Sequence, residues 1–186
     1  MENLRQNLII DSSLPRTERY IIPLVEDIKK VPEGSNLVKH PEASAIRHGN
    51  WIVLTPASLC AETGLEFPTI NPAFLGRKTN FVYTMGPLTP SSVFRNKIAK
   101  LNVETKEPLS FGINDHFFPG EPIFIPQFRD GKEEDDGVVL APFSNTIDPG
   151  QDCLVFLDAK NMGEVARATF KNDVPSAFHG IFLRDN

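Results

Sequence analysis

The fold is decided by residues 98–103, IAKLNV, in which the side chains alternate strictly along the segment. Ile98, Lys100 and Asn102 face one way. Ala99, Leu101 and Val103 face the other. This period of two is typical of a β-strand, whereas a helix needs a period of about 3.6. Similar short apolar segments lie on both sides of it, at residues 18–25, 51–54, 80–85, 109–113, 122–128, 137–143, 153–158, 164–170 and 177–183.

Residues that favour turns, namely Gly, Pro, Asn and Asp, separate these segments. Helical spacing is confined to the first dozen residues, where Leu4 and Leu8 are followed by Leu14-Pro15. A parallel sheet needs crossover connections of about a dozen residues or more, which are usually helices. The pattern therefore predicts an antiparallel all-β protein and leaves a sandwich, a barrel and a propeller open.

Two long polar connections, residues 31–50 and 60–78, precede the regular part of the chain. Connections of that length in a compact domain usually cover or serve a site. We therefore expect the chain to close over something that it does not itself contain.

The composition is that of one globular domain or a large part of one, with 186 residues, 40% hydrophobic and 23% charged. Cys60 and Cys153 form no CxxC motif, which excludes a disulfide scaffold and indicates a reducing, cytoplasmic location. The net charge of −5 and the lack of a Lys/Arg run argue against nucleic-acid binding. No apolar stretch approaches the roughly 18 residues of a membrane-spanning helix, although contact with a membrane surface needs only an apolar patch.

Familiar catalytic motifs are absent from the sequence: there is no GxSxG, no HExxH and no glycine-rich phosphate loop. The acidic run at residues 133–136, EEDD, lacks the alternating ligands and the sixth-position glycine of a calcium loop. We interpret it as a solvated tight turn before the strand at residues 137–143.

One of the four histidines differs from the others in its surroundings. His40, His48 and His116 lie in polar loops or beside turns, where a surface imidazole needs no explanation. His179 lies inside the apolar segment 177–183, and Gly180 directly after it lets another group approach the backbone. A buried imidazole must find partners, so both a hydrogen-bonded core histidine and a metal ligand remain open.

Two glutamates, Glu66 and Glu121, are single carboxylates flanked by apolar and turn residues. Either they point to water from loops, or they accept a hydrogen bond from a suitable donor, because an unpaired buried carboxylate is costly. The obvious donor is the N–H of an imidazole whose other nitrogen holds a metal.

Several motifs, occurring in a fixed order, resemble the carotenoid cleavage oxygenase family. They are EFPTIN at 66–71, KLNVETKE at 100–107, GEPIFIP at 120–126, EDDGVVL at 134–140, LDAK at 157–160, EVARA at 164–168 and FHG at 178–180. The similarity covers essentially the whole chain and is strongest to the animal branch, which contains the β-carotene oxygenases and the retinoid isomerohydrolase of the retinal pigment epithelium.

This resemblance implies a seven-bladed β-propeller with one non-haem Fe(II) per complete subunit, held by four histidines. His179 matches the last of these ligands, and Glu121 and Glu66 match two of the glutamates that hydrogen-bond to ligand histidines. In the family, the other three ligands lie upstream of the position that corresponds to Met1. His40, His48 and His116 are therefore not assigned to them. The resemblance thus makes residues 1–186 the C-terminal blades of the propeller domain, with an incomplete ring.

The implied activity is that of a dioxygenase that splits a double bond of a carotenoid or apocarotenoid with O2 into two carbonyl products. A retinoid isomerohydrolase and a non-catalytic truncated propeller are the alternatives. No organic cofactor and no nucleic-acid partner are implied, and peripheral membrane contact belongs to other parts of the family's proteins. We expect this chain to be inactive by itself.

Overall fold

A computed structural model of the chain describes residues 16–60, 65–86, 96–127, 132–148, 150–174 and 179–183. Within these ranges, thirteen β-strands form four antiparallel sheets, and two single-turn 3-10 helices lie at Ile28–Lys30 and Pro72–Phe74. The helix predicted for the first dozen residues lies outside the described ranges. The prediction of an antiparallel all-β protein is confirmed.

Two small sheets come from the first part of the chain. One pairs β1 (Glu18–Arg19) with β4 (Ala57–Ser58), and the other pairs β2 (Ser44–His48) with β3 (Trp51–Thr55). A two-residue turn joins β2 to β3, and its Gly49 has a φ of 60°, a conformation that glycine adopts at little cost.

Two larger sheets follow, and each runs back and forth in chain order. The four-stranded sheet contains β5 (Glu66–Thr69), β6 (Phe81–Gly86), β7 (Lys97–Asn102) and β8 (Pro108–Phe111). The five-stranded sheet contains β9 (Phe117–Pro119), β10 (Ile123–Pro126), β11 (Gly137–Asn145), β12 (Cys153–Asp158) and β13 (Glu164–Thr169). Both β9 and β10 pair with β11, so they act as one interrupted edge strand.

The alternation that predicted β7 assigns its faces correctly. Ile98 belongs to the larger apolar cluster, and Ala99 and Leu101 belong to a second cluster on the opposite side. Both faces of the strand are therefore covered, which is why even Lys100 is buried at 6% exposure.

The larger apolar cluster lies between the two larger sheets and holds them together. Its members include Tyr83, Met85 and Ile98 from the four-stranded sheet, with Phe124, Val139, Phe143, Val155 and Leu157 from the other. The buried hydroxyl of Tyr83 also donates a hydrogen bond across this boundary, to the carbonyl of Ala159 at 3.0 Å. Burial raises the pKa of Tyr83, so this hydroxyl keeps its proton and remains a donor.

Several predictions about strands are wrong. Among the described residues, the segment 18–25 pairs only at Glu18–Arg19. Of the predicted strand 177–183, residues 177–178 lie outside the described ranges, and residues 179–183 form no strand. Conversely, the connections 31–50 and 60–78 contain β2 and β5. Apolar alternation favours a strand, but the strand forms only where a neighbour supplies hydrogen bonds, and the described residues offer none to residues 20–25.

The acidic run forms the predicted turn, between β10 and β11, but three of its four carboxylates are largely covered, and Glu133 alone among them is exposed. Glu134 is 7% exposed, and the side chains of Asp135 and Lys100 are 13% and 7% exposed in an ion pair of 2.6 Å. The interpretation as a solvated turn is therefore wrong for three of the four residues. Groups from the neighbouring sheet satisfy the charges of Glu134 and Asp135, and Lys160 pairs with Asp136.

Candidate metal centre

Glu121 lies at the interruption between β9 and β10, on the edge of the five-stranded sheet. Residues 120–122 oppose only residues 141–142 of β11, so the edge strand carries one extra residue there. Such a bulge bends a strand and redirects its side chains. Pro122 fits this position because proline has no N–H to contribute to a ladder.

Glu66 occupies a corresponding position on the edge of the four-stranded sheet. The register between β5 and β6 shifts by one residue between Glu66 and Thr69. Phe67, inside the shift, has a φ of 52°, which is unusual for a residue with a side chain. Pro68 follows it, so a proline one or two residues after the glutamate marks the irregular edge strand in both sheets.

His179 contacts Glu121 directly. Its Nδ1 lies 3.2 Å from Oε2 of Glu121, and the backbone N–H of Gly180 donates to the same oxygen at 3.4 Å. A carboxylate can only accept, so Nδ1 carries the proton in this hydrogen bond. The neutral ring then keeps the lone pair of Nε2, which is the atom available to a metal.

Phe67 contacts the same imidazole from the other large sheet. The two ring centroids are 5.4 Å apart with planes at 71°, an edge-to-face arrangement. The bulge of β5 thus reaches His179 through Phe67, a residue that the sequence analysis did not single out. Its position between Glu66 and Pro68 was the available signal.

The exposure of the site differs from the expectation of a buried histidine in a strand. The side chain of His179 is 74% exposed, whereas that of Glu121 is 23% exposed. The segment lies against the sheet edge on one side only, and a Cβ at Gly180 would come within 3.0 Å of Ile123 Cδ1. The close approach to the backbone that Gly180 led us to expect is therefore present, and Ile123 makes it. Most of the His179 ring remains exposed.

The other histidines serve different purposes. His40 is structural, because its Nδ1 accepts the backbone N–H groups of Glu42 and Ala43 at 3.1 and 3.0 Å. His48 and His116 lie on the surface. Among the residues that the structure describes, no three His, Cys, Asp or Glu side chains are close enough to hold a metal ion together. His179, hydrogen-bonded to Glu121, is therefore the candidate metal ligand in the described part of the chain.

No helix in the described part of the chain has the length and apolar character needed to cross a bilayer.

Comparison with known sequences gives strong matches. The chain matches the family described as RPE65, retinal pigment epithelial membrane protein, over residues 2–184. It is 40% identical to the β,β-carotene 15,15'-dioxygenase of Gallus gallus over 176 residues, covering 94% of this chain and 32% of that protein. For the Homo sapiens protein of the same name the identity is 33%, covering 100% and 34%. The chain spans about a third of the length of the curated relatives it matches.

Solved structures match in fold as well. A cobalt-substituted Synechocystis apocarotenoid oxygenase (ACO) has a TM-score of 0.65 and 27% identity, covering 72% of this chain and 28% of that one. An ACO/RPE65 chimera has a TM-score of 0.60 and 28% identity, covering 66% and 26%. Carotenoid oxygenases are seven-bladed β-propellers, so the predicted fold class is confirmed and the larger sheets correspond to propeller blades.

Proposed function

The chain belongs to the RPE65 family of carotenoid oxygenases, and we propose that it is part of a non-haem Fe(II) dioxygenase that cleaves a carotenoid. In this proposal residues 1–186 are the C-terminal blades of the propeller domain, and the rest of the protein supplies the other metal ligands. The observation that carries it is the hydrogen bond between His179 and Glu121, which leaves Nε2 free to bind a metal.

The residues present fit an iron site of this kind. A neutral imidazole is a suitable ligand for Fe(II), and a carboxylate on its other nitrogen holds the ring orientation and strengthens it as a donor. The exposed face of His179 would meet ligands from outside the described residues. A metal found in a solved relative, the cobalt-substituted ACO, also supports a metal site in this family.

When bound, ferrous iron would supply the activation of dioxygen for cleavage of a polyene double bond. In this proposal the chain supplies one metal ligand, His179, and restricts the orientation of its ring. Glu121 fixes the tautomer of His179, Phe67 restrains the ring from its edge, and Glu66 belongs to the same bulge as Phe67. The substrate class we propose is a carotenoid or apocarotenoid with O2.

Expression of the complete protein and of residues 1–186 alone tests this proposal. The complete protein should bind about one iron per subunit and release aldehydes from a carotenoid, whereas residues 1–186 should bind no stoichiometric iron. Stoichiometric iron and cleavage by the chain alone would overturn the claim that it is a part. Conversion of a retinyl ester to a retinol isomer by the complete protein, without aldehydes, would instead identify an isomerohydrolase.

We also propose a cytoplasmic location with peripheral membrane contact made by parts of the protein outside this chain. One relative, from Mustela putorius furo, is named a mitochondrial carotenoid-cleaving dioxygenase. Cell fractionation with and without high salt or carbonate distinguishes these locations. Recovery in the mitochondrial matrix would contradict the cytoplasmic assignment.

A further inference from the structure

The acidic turn between β10 and β11 contains a buried carboxylate with several donors. The side-chain oxygens of Glu134 accept the backbone N–H groups of Asn80, at 2.8 and 2.9 Å, and of Phe81, at 2.8 Å. Nδ2 of Asn80 adds a contact of 3.2 Å. In return, Nδ2 of Asn71 donates to the backbone carbonyl of Glu134 at 2.9 Å. Such a set of donors satisfies a buried charge.

All these donors lie in or next to strands of the four-stranded sheet, whereas Glu134 lies in a hairpin of the five-stranded one. Asn71 follows β5, the strand that carries Glu66 and Phe67, and Asn80 directly precedes β6. Glu134 lies in the hairpin that follows β10, the strand that begins just after Glu121. The carboxylate therefore links the β10–β11 hairpin to the start of β6, and the backbone carbonyl of Glu134 links the same hairpin to Asn71, just after the bulged edge strand β5.

Neighbouring ion pairs strengthen the same connection. Lys100 of β7 donates to Asp135 at 2.6 Å and to the carbonyl of Lys160 at 3.0 Å, and its ammonium lies 4.0 Å from the centre of the Phe81 ring. Two consecutive carboxylates of the turn thus bond to two different strands of the neighbouring sheet. The turn therefore connects the two large sheets. This role is separate from metal binding, which we assigned to His179.

Directional bonds are needed here because the apolar cluster between the sheets is not directional. Burial of apolar area drives the sheets together, but it is non-directional and so does not by itself fix their exact relative position. Hydrogen bonds to a charged group depend on distance and angle, so they resist such movements. A displacement of even 1 Å between the sheets would change how Phe67 and Glu121 meet His179.

We propose that Glu134 is a positioning residue, which sets the two large sheets at the separation that His179 needs to present Nε2 to a metal. This inference rests on the proposed function, because it assumes that His179 is a ligand. Glu134 touches neither the metal nor the substrate, and it acts through the placement of Phe67 and Glu121.

The test is Glu134→Gln in the complete protein, with Glu133→Gln as the matched control. The amide keeps the size of the side chain but replaces one acceptor oxygen with a donor, which faces the N–H groups of Asn80 or Phe81. Glu133 is the adjacent residue; its side chain is 72% exposed and pairs only loosely with Lys160, at 3.6 Å. Both changes remove one negative charge from the same turn.

Titration of the metal-free protein with Co(II), followed by the visible absorption of the bound ion, gives affinity and ligand geometry without requiring activity. Glu134→Gln should weaken Co(II) binding about 3- to 10-fold and alter the spectrum, a range typical of coupling through hydrogen-bond networks. Glu133→Gln should match the wild type. Asn80→Ala, which removes only the weakest donor, should act in the same direction by about twofold or less, and it serves if Glu134→Gln does not fold.

A double-mutant cycle with Glu121→Gln separates positioning from general destabilisation. If Glu134 acts through Glu121, the double variant should lose less Co(II) affinity than the product of the two single-variant fold-losses. Wild-type Co(II) affinity in Glu134→Gln and Asn80→Ala, or strictly multiplicative effects in the cycle, would overturn the inference. Absence of Co(II) binding by the wild-type protein would overturn the proposed function, and this inference with it.

Discussion

His179 Nδ1 and Glu121 Oε2 lie 3.2 Å apart although 58 residues separate them in the chain. The contact exists because the edge strand of the five-stranded sheet is interrupted at residues 120–122, which turns the carboxylate toward the end of the chain. The N–H of Gly180 binds the same oxygen. One carboxylate therefore holds both the ring and the backbone that carries it.

The first prediction concerns this carboxylate. Glu121→Gln in the complete protein should lower metal affinity or activity by roughly 10–100-fold, because the neutral amide is a weaker acceptor for Nδ1–H. His179→Ala should abolish stoichiometric metal binding. Metal analysis and steady-state rates measure both effects.

The control for this pair is Glu107→Gln, which changes an exposed carboxylate directly before β8. It should bind metal as the wild type does. If Glu121→Gln were indistinguishable from Glu107→Gln, the role of Glu121 in orienting His179 would be wrong.

A second prediction concerns the aromatic contact on His179. Phe67→Leu should reduce metal affinity a few-fold, since an edge-to-face ring pair contributes about 0.5–1.5 kcal/mol beyond its buried area. Isothermal titration of the metal-free protein with the metal ion measures this affinity. Phe111→Leu is the matched control, because Phe111 makes a similar contact with Phe143, at 6.1 Å and 81°, away from His179. Equal losses of metal affinity in both variants would argue against a specific role for Phe67.

The third prediction concerns the ion pair between the large sheets. Lys100→Met should destabilise the protein by about 3 kcal/mol or more, because it leaves Asp135 buried and unpaired. The double variant Lys100→Met with Asp135→Asn should recover much of that loss. Urea unfolding monitored by tryptophan fluorescence and circular dichroism gives the free energies.

A surface pair provides the comparison. Lys106 and Glu42 form an ion pair whose side chains are 35% and 46% exposed. Lys106→Met should therefore cost less than about 1 kcal/mol. A cost for Lys100→Met as small as that for Lys106→Met would show that the buried pair contributes little to the contact between the sheets.

The fourth prediction is a pH dependence. The Lys160 ammonium, at 2.6 Å, and the backbone N–H groups of Glu133 and Lys132 lower the pKa of Asp136 to about 2. A carboxyl whose pKa is lower in the folded state stabilises it above its unfolded pKa of about 3.9, and that stabilisation disappears as the pH falls through about 2.

The difference in Tm between the wild type and Asp136→Asn should accordingly be constant above about pH 5 and shrink below pH 4. The matched control is Asp148→Asn, which removes the same charge from an exposed turn, between β11 and β12. A Tm difference for Asp136→Asn that stays constant down to pH 2 would contradict the ion pair with Lys160.

The local pattern determined much of this molecule. The alternation that marks β7 and the segment Cys153–Asp158, which becomes β12 without a change of boundary, depend on side chains within a few residues of one another. The same is true of the turns at Gly49 and at residues 133–136. The family motifs also led to His179 and Glu121 before their contact was known.

Other features depended on groups that are distant in sequence. Glu134 is buried because its donors come from residues 53 and 54 positions away, and no local pattern announces such donors. Phe67 meets His179 only because two bulged edge strands end beside the same segment. Residues 20–25 have the apolar character of a strand, but no strand pairs with them in the described part of the chain. The periodicity of a strand depends only on a few neighbouring side chains. The partner of a buried charge, an aromatic ring or a strand edge comes from a distant part of the sequence, so it is determined only when the chain has folded.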